Sequence, residues 1–274
     1  MPRLSPQVVV IAPLLVVGSA AAQDTVRVPD PTPAPPLIEG SGETPWEPGR
    51  WTLQLEPTVW FAAMGGDVRA GAGSDRKFKD IGEGDHANAA ASLRGLYRND
   101  RWTVMVDGFW LDFDESEGSE SLKFSLWSVD ASVGWEWLEW KRQRETRAGL
   151  VDTGIAARVI PYAGLRLIAP DVHVSDAGGD FSGSDEFLHP FVGLRIELEI
   201  FDRVSIDTGA DIGAIDLLGE EAFAFDWSLG LRAHITDNIA AQIGFRQIFL
   251  NVDSDDVEID GSAGGLLLGV MVRF

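Results

Sequence analysis

Three groups of residues have types and spacings that could do chemistry. Asp112-Phe113-Asp114 and Asp171-Val172-His173 each set two titratable side chains two residues apart, hence on one face of an extended segment. If the two pairs faced each other they could activate a water molecule by general base catalysis. Asp253, Asp255, Asp256, Glu258 and Asp260, with Asp112, Asp114, Glu115 and Glu117, offer the clustered oxygens that Ca²⁺ or Mg²⁺ prefers. Neither run has the spacing of an EF-hand, so the reading is loose cation attraction or divalent bridging to an anionic surface, with no specific metal site and no cofactor. The third group interleaves carboxylates with arginines on the polar faces of alternating segments. It comprises Glu56, Asp107, Asp130, Glu136, Glu197, Glu199, Asp207, Asp211 and Asp226 against Arg94, Arg98, Arg158, Arg166, Arg195, Arg232, Arg246 and Arg273. With no cysteine in the chain, thiol nucleophiles, thiolate metal sites and disulfides are excluded. His189 and His234 fall on polar faces, and His86 and His173 fall in connections. No lipid-facing Ser–His pair is therefore evident, and His189, preceding Pro190, reads as a hydrogen-bonded structural histidine.

The balance of 22 Lys+Arg against 43 Asp+Glu gives a net charge of −21, which excludes a general nucleic-acid binder, since such proteins cluster cations against phosphates. No stretch beyond the extreme N-terminus approaches the roughly 18–20 apolar residues of a spanning helix, so a helical membrane protein is excluded too. Segments 112–122, 171–186, 216–221 and 253–260 carry five, five, three and five acids, 18 in all, without a Lys or Arg. The acidity is therefore regional.

The elements that must position these residues show a period of two. From Leu122 to Trp137, Trp127, Val129, Ala131, Val133, Trp135 and Trp137 share one face, while Ser128, Asp130, Ser132, Gly134 and Glu136 share the other. The same alternation predicts strands over 51–62, 88–98, 101–112, 122–138, 156–169, 187–200, 203–215, 222–235, 239–251 and 263–274, about ten, with eight or twelve as alternatives. Asn99-Asp100, Phe201-Asp202 and Thr236-Asp237-Asn238 are short turns, whereas 63–87, 113–121, 170–186, 216–221 and 252–262 are long loops. That alternation is the layout of an all-β, up-and-down antiparallel transmembrane barrel with one acidic mouth. The connection 139–155 breaks the rule, being long on the short-turn side, and it holds Lys141, Arg142, Arg144 and Arg147. A secreted β-sandwich also alternates, but it has no reason to place many of ten tryptophans where strands meet loops.

Ahead of the barrel, residues 1–22 have the apolar core Val8–Val17 and the small residues Ser19-Ala20-Ala21-Ala22 of a cleaved secretory signal, and residues 23–50 form a proline-rich periplasmic tether. The barrel is assigned to 51–274. It ends Leu266, Leu268, Val270, Val272 and Phe274 on one face, which resembles the terminal signal read by the outer-membrane assembly machinery.

Several stretches resemble a widespread family of Gram-negative outer-membrane β-barrels, loosely similar to the OmpW and OmpA types. They are Glu56-Pro-Thr-Val-Trp60, Phe78-Lys-Asp-Ile81, Arg101-Trp102 through Asp107-Gly-Phe-Trp-Leu111, His189-Pro-Phe-Val-Gly-Leu-Arg195, Asp211-Ile-Gly213, Gly244-Phe-Arg246 and the closing Arg273-Phe274. The resemblance implies an integral outer-membrane barrel, with 64–87 folding toward the lumen as a partial plug, and it supplies no catalytic residue. Some ten-stranded barrels are proteases. The omptin type uses an Asp-x-Asp pair opposite an Asp-x-His pair, which Asp112, Asp114, Asp171 and His173 match at the level of the dipeptide pattern. The interior is open to two readings, a packed core of Arg–carboxylate bridges or a narrow selective channel. The expected partners are outer-membrane lipid and lipopolysaccharide, the barrel assembly machinery, and small solutes or cations, with no nucleic acid. The leading expectation is a porin-like or structural barrel without catalysis; a surface hydrolase or a binding module acting through its loops are the alternatives.

Overall fold

Alternating side chains on an extended backbone yield an all-β chain. In the computed structural model the described residues are 51–70, 74–78, 88–117, 120–146, 149–176, 179–200, 203–214, 217, 221–254 and 256–274. Residues 1–50, where a signal and tether are expected from the sequence, lie outside them. The strands are β1 (Trp51–Ala70), β2 (Ser74–Phe78), β3 (Asn88–Asn99), β4 (Trp102–Glu117), β5 (Glu120–Trp135), β6 (Leu138–Thr146), β7 (Gly149–Asp176), β8 (Gly179–Ser184), β9 (Phe187–Ile200), β10 (Val204–Gly213), β11 (Glu221–His234), β12 (Ile239–Asp253) and β13 (Val257–Arg273). All pairings are antiparallel, and β13 returns to β1 from Gln54↔Arg273 to Ala70↔Val257, closing the barrel.

Three wall positions carry two segments each. β5 ends its pairing with β7 at Gly134↔Tyr162 and β6 resumes it at Leu138↔Val159, so one extra residue forms a bulge around Glu136-Trp137. β8 and β9 continue one register along β7, from Asp171↔Ser184 to Ile168↔Phe187, interrupted at Asp185-Glu186. β2 and β3 both lie against β1, at Gly66↔Phe78 and Ala62↔Asn88. The 13 segments therefore occupy 13 − 3 = 10 positions, a closed ten-stranded barrel.

The regions read from sequence as long loops are largely strand. β4 and β5 run to within two residues of each other, as do β7 and β8, and β12 and β13 are joined by residues 254–256. Residues 64–70 and 74–78 belong to β1 and β2 in the wall rather than to a plug folded into the lumen, because their backbone groups are taken up by ladders with β13 and with each other. Residues 79–87 lie outside the described set. The exceptional connection 139–155 is also strand: β6 and β7 pair to Thr146↔Gly149, whereas β7 keeps its other neighbour, β9, only as far as Ile155↔Ile200. A hairpin thus projects from the short-turn end. At the ordinary turns the backbone is tight: Asp100 takes φ 54°, a left-handed conformation that Asp tolerates, and Thr236 Oγ1 accepts from the amides of Asn238 (3.3 Å) and Ile239 (3.0 Å).

At the tall-hairpin end the cylinder splits. The β3–β4 ladder stops at Ala91↔Trp110 and the β9–β10 ladder stops at Gly213↔Phe191; among the described residues no ladder joins β2 to β4 or β8 to β10 above them. The upper parts of β11, β12, β13 and β1 therefore form one sheet, and those of β4, β5, β7 and β8 form another, facing it. Their inner faces make the hydrophobic core, with Met64, Val68, Leu250, Val252 and Ile259 on one side and Leu111, Phe113, Phe124, Val172 and Val174 on the other. Trp60 meets Phe109 edge to face across the gap, with centroids 6.0 Å apart. Gly183 of β8 lies so close to the β12–β13 connection that a Cβ there would stand 2.1 Å from the Asp256 carbonyl oxygen. Each fully buried Leu or Phe is worth about 1.5–3 kcal/mol, so this cap has a core of its own.

Below the cap the pattern is reversed. Along β4, Val104, Val106 and Trp110 face outward and are exposed, while Thr103, Met105 and Phe109 are buried inside; past Trp110 the outward residues become Asp112 and Asp114 and the inward ones Leu111 and Phe113. The side-chain parity never slips. What changes at the level of Trp110 and its cross-strand neighbour Trp127 is the chemistry assigned to each face.

Candidate functional site

Inside the lower barrel, the even-numbered residues of β3 and β9's odd-numbered ones, with their counterparts on the other strands, turn arginines and carboxylates toward one another. The register decides who meets whom. Asp107 lies beside Asp130 across β4–β5 and Asp211 beside Asp226 across β10–β11, two like-charged pairs that require cations between them. Arg166 answers for one set: it reaches Asp130 (2.6 Å), Asp211 (3.0 Å) and Asp226 (3.8 Å). Arg246 answers for the other, reaching Asp226 (2.5 Å) and Asp107 (3.2 Å). Arg94 joins Asp107 (2.6 Å) to Glu56 (3.9 Å), and Arg232 joins Glu56 (2.7 Å) to Asp207 (3.1 Å). Arg195 links Asp207 (3.0 Å) to Glu197 (3.0 Å), which also pairs with Arg98. The result is one continuous network of six arginines and seven carboxylates contributed by β1, β3, β4, β5, β7, β9, β10, β11 and β12.

Most of its members are nearly inaccessible: Glu56 is 1% exposed, Arg246 and Arg166 3%, Asp207 4%. Charges so placed persist because each is paired and hydrogen-bonded, since removal of one partner would strand another in a medium that solvates it poorly. Arg166 also lies over the Phe191 ring (4.8 Å) and Arg246 over Phe109 (4.9 Å), so the top of the network rests on aromatic faces. A cavity of about 50 Å³ remains among Arg94, Asp107, Tyr162, Asp211 and Arg246, room for a few waters at most. Nearer the short turns, Arg158 bridges Glu136 (3.4 Å) and Glu139 (3.2 Å), and Leu96, Ile160 and Met271 are buried inside.

The remaining sequence-derived candidates are also placed. His189 is fully buried on β9, opposite Arg166 of β7, and its ring lies against Gly213, where a Cβ would come within 2.3 Å of it. Residues that sequence reasoning passed over complete the picture. Tyr162 donates to Asp211 (3.1 Å) and its ring packs on Gly193, a contact hidden from sequence because the two glycine and tyrosine positions meet only in the β7–β9 register. Ser205 Oγ lies 3.3 Å from His234 Nε2 at the short-turn rim. The two meet through the β10–β11 register, in which Val204 lies opposite Ala233 and Ser205 opposite Arg232.

Asp112, Asp114, Asp171 and His173 do not meet across a mouth. Asp112, Ser125 and Asp171 form one cross-strand row and Asp114, Lys123 and His173 the next, so each pair is separated from the other by β5, roughly 10 Å on the outer surface of the cap. All four are exposed, and Asp114 is met by Lys123 Nζ at 3.6 Å. The arrangement required for water activation, two pairs converging on one molecule, is absent from these four positions. Phe274 closes the seam, exchanging backbone hydrogen bonds with Leu53 (2.8 and 3.2 Å). On the acidic hairpin of β12 and β13, Asp253 lies opposite Glu258, which pairs with Arg69 of β1.

No family model and no curated protein matches the chain. Among solved structures, it is similar to the Neisserial surface protein NspA (17% identity, 82% of this chain and 97% of that one, TM-score 0.35) and to Ail, the attachment invasion locus protein of Yersinia pestis (13%, 83% and 100%, 0.35). It is also similar to the outer membrane protease OmpT of Escherichia coli (8%, 81% and 97%, 0.48).

Proposed function

We propose that the chain is an integral outer-membrane barrel with a structural, non-conducting role, which holds a rigid acidic cap above the lipid. The outward apolar band supports the membrane reading. It is bounded by Trp110 and Trp127 at one end and by Trp102 and Trp135, edge to face at 4.6 Å, at the other. The eight steps from Trp102 to Trp110 rise about 3.3 Å each, and a tilt of about 40° leaves about 20 Å between the girdles, near the roughly 25 Å band of such barrels. The short turns then lie on the periplasmic side and the cap outside, with outer-membrane lipid and lipopolysaccharide as neighbours.

The observation that carries the non-conducting reading is that the interior is filled twice, by the Arg–carboxylate network at belt height and by the apolar core of the cap. An ion crossing the first would have to break charge pairs, and crossing the second would have to shed its hydration against Leu111, Phe113 and Phe124. What remains accessible from outside is the cap's outer face with Asp112, Asp114, Asp171 and His173, a surface for presentation to cations or to lipopolysaccharide through bridging divalent ions. The test is single-channel recording in planar bilayers with protein whose heat-modifiable gel mobility confirms a folded barrel. No discrete steps are expected; regular cation-selective steps would restore the porin-like reading.

A further inference from the structure

The projecting hairpin of β6 and β7 has no part in closing the barrel. Beyond Lys141 and Ile155 its two strands pair only with each other among the described residues, and the five residues 142–146 and six residues 149–154 give it roughly 17–20 Å of reach. Where it leaves the wall, the extra residue of the bulge turns successive apolar side chains to the same outer surface: Trp137 (72% exposed), Leu138 (55%) and then Trp140 (50%). These continue the girdle of Trp102 and Trp135 on the face that carries the apolar band. Immediately past them the chain reads Lys141-Arg142-Gln143-Arg144-Glu145-Thr146-Arg147, four cations against one acid in a protein whose net charge is −21.

We infer that this hairpin is an interfacial anchor that docks on anionic phospholipid of the periplasmic leaflet. Two features favour that occupant. Indole rings partition to the boundary between headgroups and acyl chains, and here three large apolar side chains are continuous with a girdle already at that depth. Cations just beyond the boundary are attracted to an anionic lipid surface, each by about fivefold in partitioning. The inner face of the hairpin root is already neutralised, since Glu139 accepts from Arg158 (3.2 Å) and Lys141 (3.0 Å), so the hairpin's apolar outer face is the one free to engage a new surface.

This inference rests on the membrane reading above, and one experiment separates the two. Because the chain has no cysteine, a nitroxide can be placed singly at Trp140→Cys, at Val106→Cys in the band and at Asp100→Cys in a short turn, in the full chain reconstituted into vesicles of phosphatidylcholine with or without phosphatidylglycerol. The label at 140 is expected to collide with oxygen rather than with a water-soluble nickel chelate, more so with phosphatidylglycerol. Changing Arg142, Arg144 and Arg147 together to Gln should abolish that lipid dependence while heat-modifiable mobility is retained. A label at 140 as open to the chelate as the one at 100, in both lipids, overturns the anchor. So does chelate access that appears only when residues 23–50 are deleted, which would make the tether the occupant. A water-exposed label at 106 would instead overturn the membrane reading itself.

Discussion

The belt and the cap are built from the same strands, in the same register, with opposite solutions to the problem of where apolar side chains go. In the belt, Val104, Val106, Val129, Val133, Leu194 and Ile196 face outward and the interior holds paired charges; in the cap, Leu111, Phe113, Phe124 and Val172 face inward and Asp112, Asp114 and Asp171 face outward. Since a strand's side chains alternate strictly, no twist or slip is needed to pass from one regime to the other. The sequence simply exchanges residue types at Trp110 and Trp127. The difference teaches that the solvent outside, hydrocarbon or water, dictates the face, and that the inside must then complement it, by ion pairing where the wall is polar and by close packing where it is apolar.

The contrast can be broken most severely in the cap. Leu111→Asp buries a carboxylate in the apolar core beside Phe113 and Phe124, and should cost about 4 kcal/mol or more. Limited proteolysis should then cut the tall hairpins while the belt fragment still shows heat-modifiable mobility. A belt substitution follows in size. Arg246→Gln leaves Asp226 and Asp107 facing each other without their shared guanidinium, an expected loss of about 3–5 kcal/mol, read as a lowered urea midpoint of unfolding from lipid. On the lipid side, Val129→Arg should lose about 2–4 kcal/mol if position 129 lies near the bilayer midplane, in the same assay. The smallest effect is expected on the cap's outer surface. Asp112→Asn with His173→Ala touches only solvated groups and should shift stability by no more than about 0.5 kcal/mol. A large shift there would mean that the cap's outer face is not free.

Much of the belt was legible from alternation alone, because Trp127 through Trp135 keep one chemistry per face without interruption. The cap was harder to read. In Leu111-Asp112-Phe113-Asp114 and in Leu122-Lys123-Phe124 the period of two persists, but the acids, the turn-length pattern and the tall spacing from the belt made these segments resemble loops. Reading the alternation through the acids, instead of stopping at them, gives the strands. The charge balance of the lumen was visible in composition, whereas the identity of each pair was not: Arg232 and Glu56 are 176 residues apart and meet only because the barrel closes and the registers hold. The long connection 139–155 stands out in the sequence by its length alone; the structure shows that β6 and β7 go on pairing to Thr146↔Gly149 after β9 has ended at Ile155↔Ile200, which no local propensity marks. The candidate Asp and His pairs failed for a geometric reason, since a spacing of two places both members on one face but says nothing of which face points inward.

The most direct test of the exchange of faces is a cysteine scan along the outward positions of β4, possible because any introduced thiol is the only one. Nitroxides at Val104, Val106, Trp110, Asp112 and Asp114 in lipid vesicles should report oxygen access at 104 and 106, a crossover at 110, and access to a water-soluble relaxant at 112 and 114. Continuous lipid exposure from 104 to 114, or water exposure throughout, would contradict a barrel whose two faces trade chemistry at the Trp110–Trp127 level.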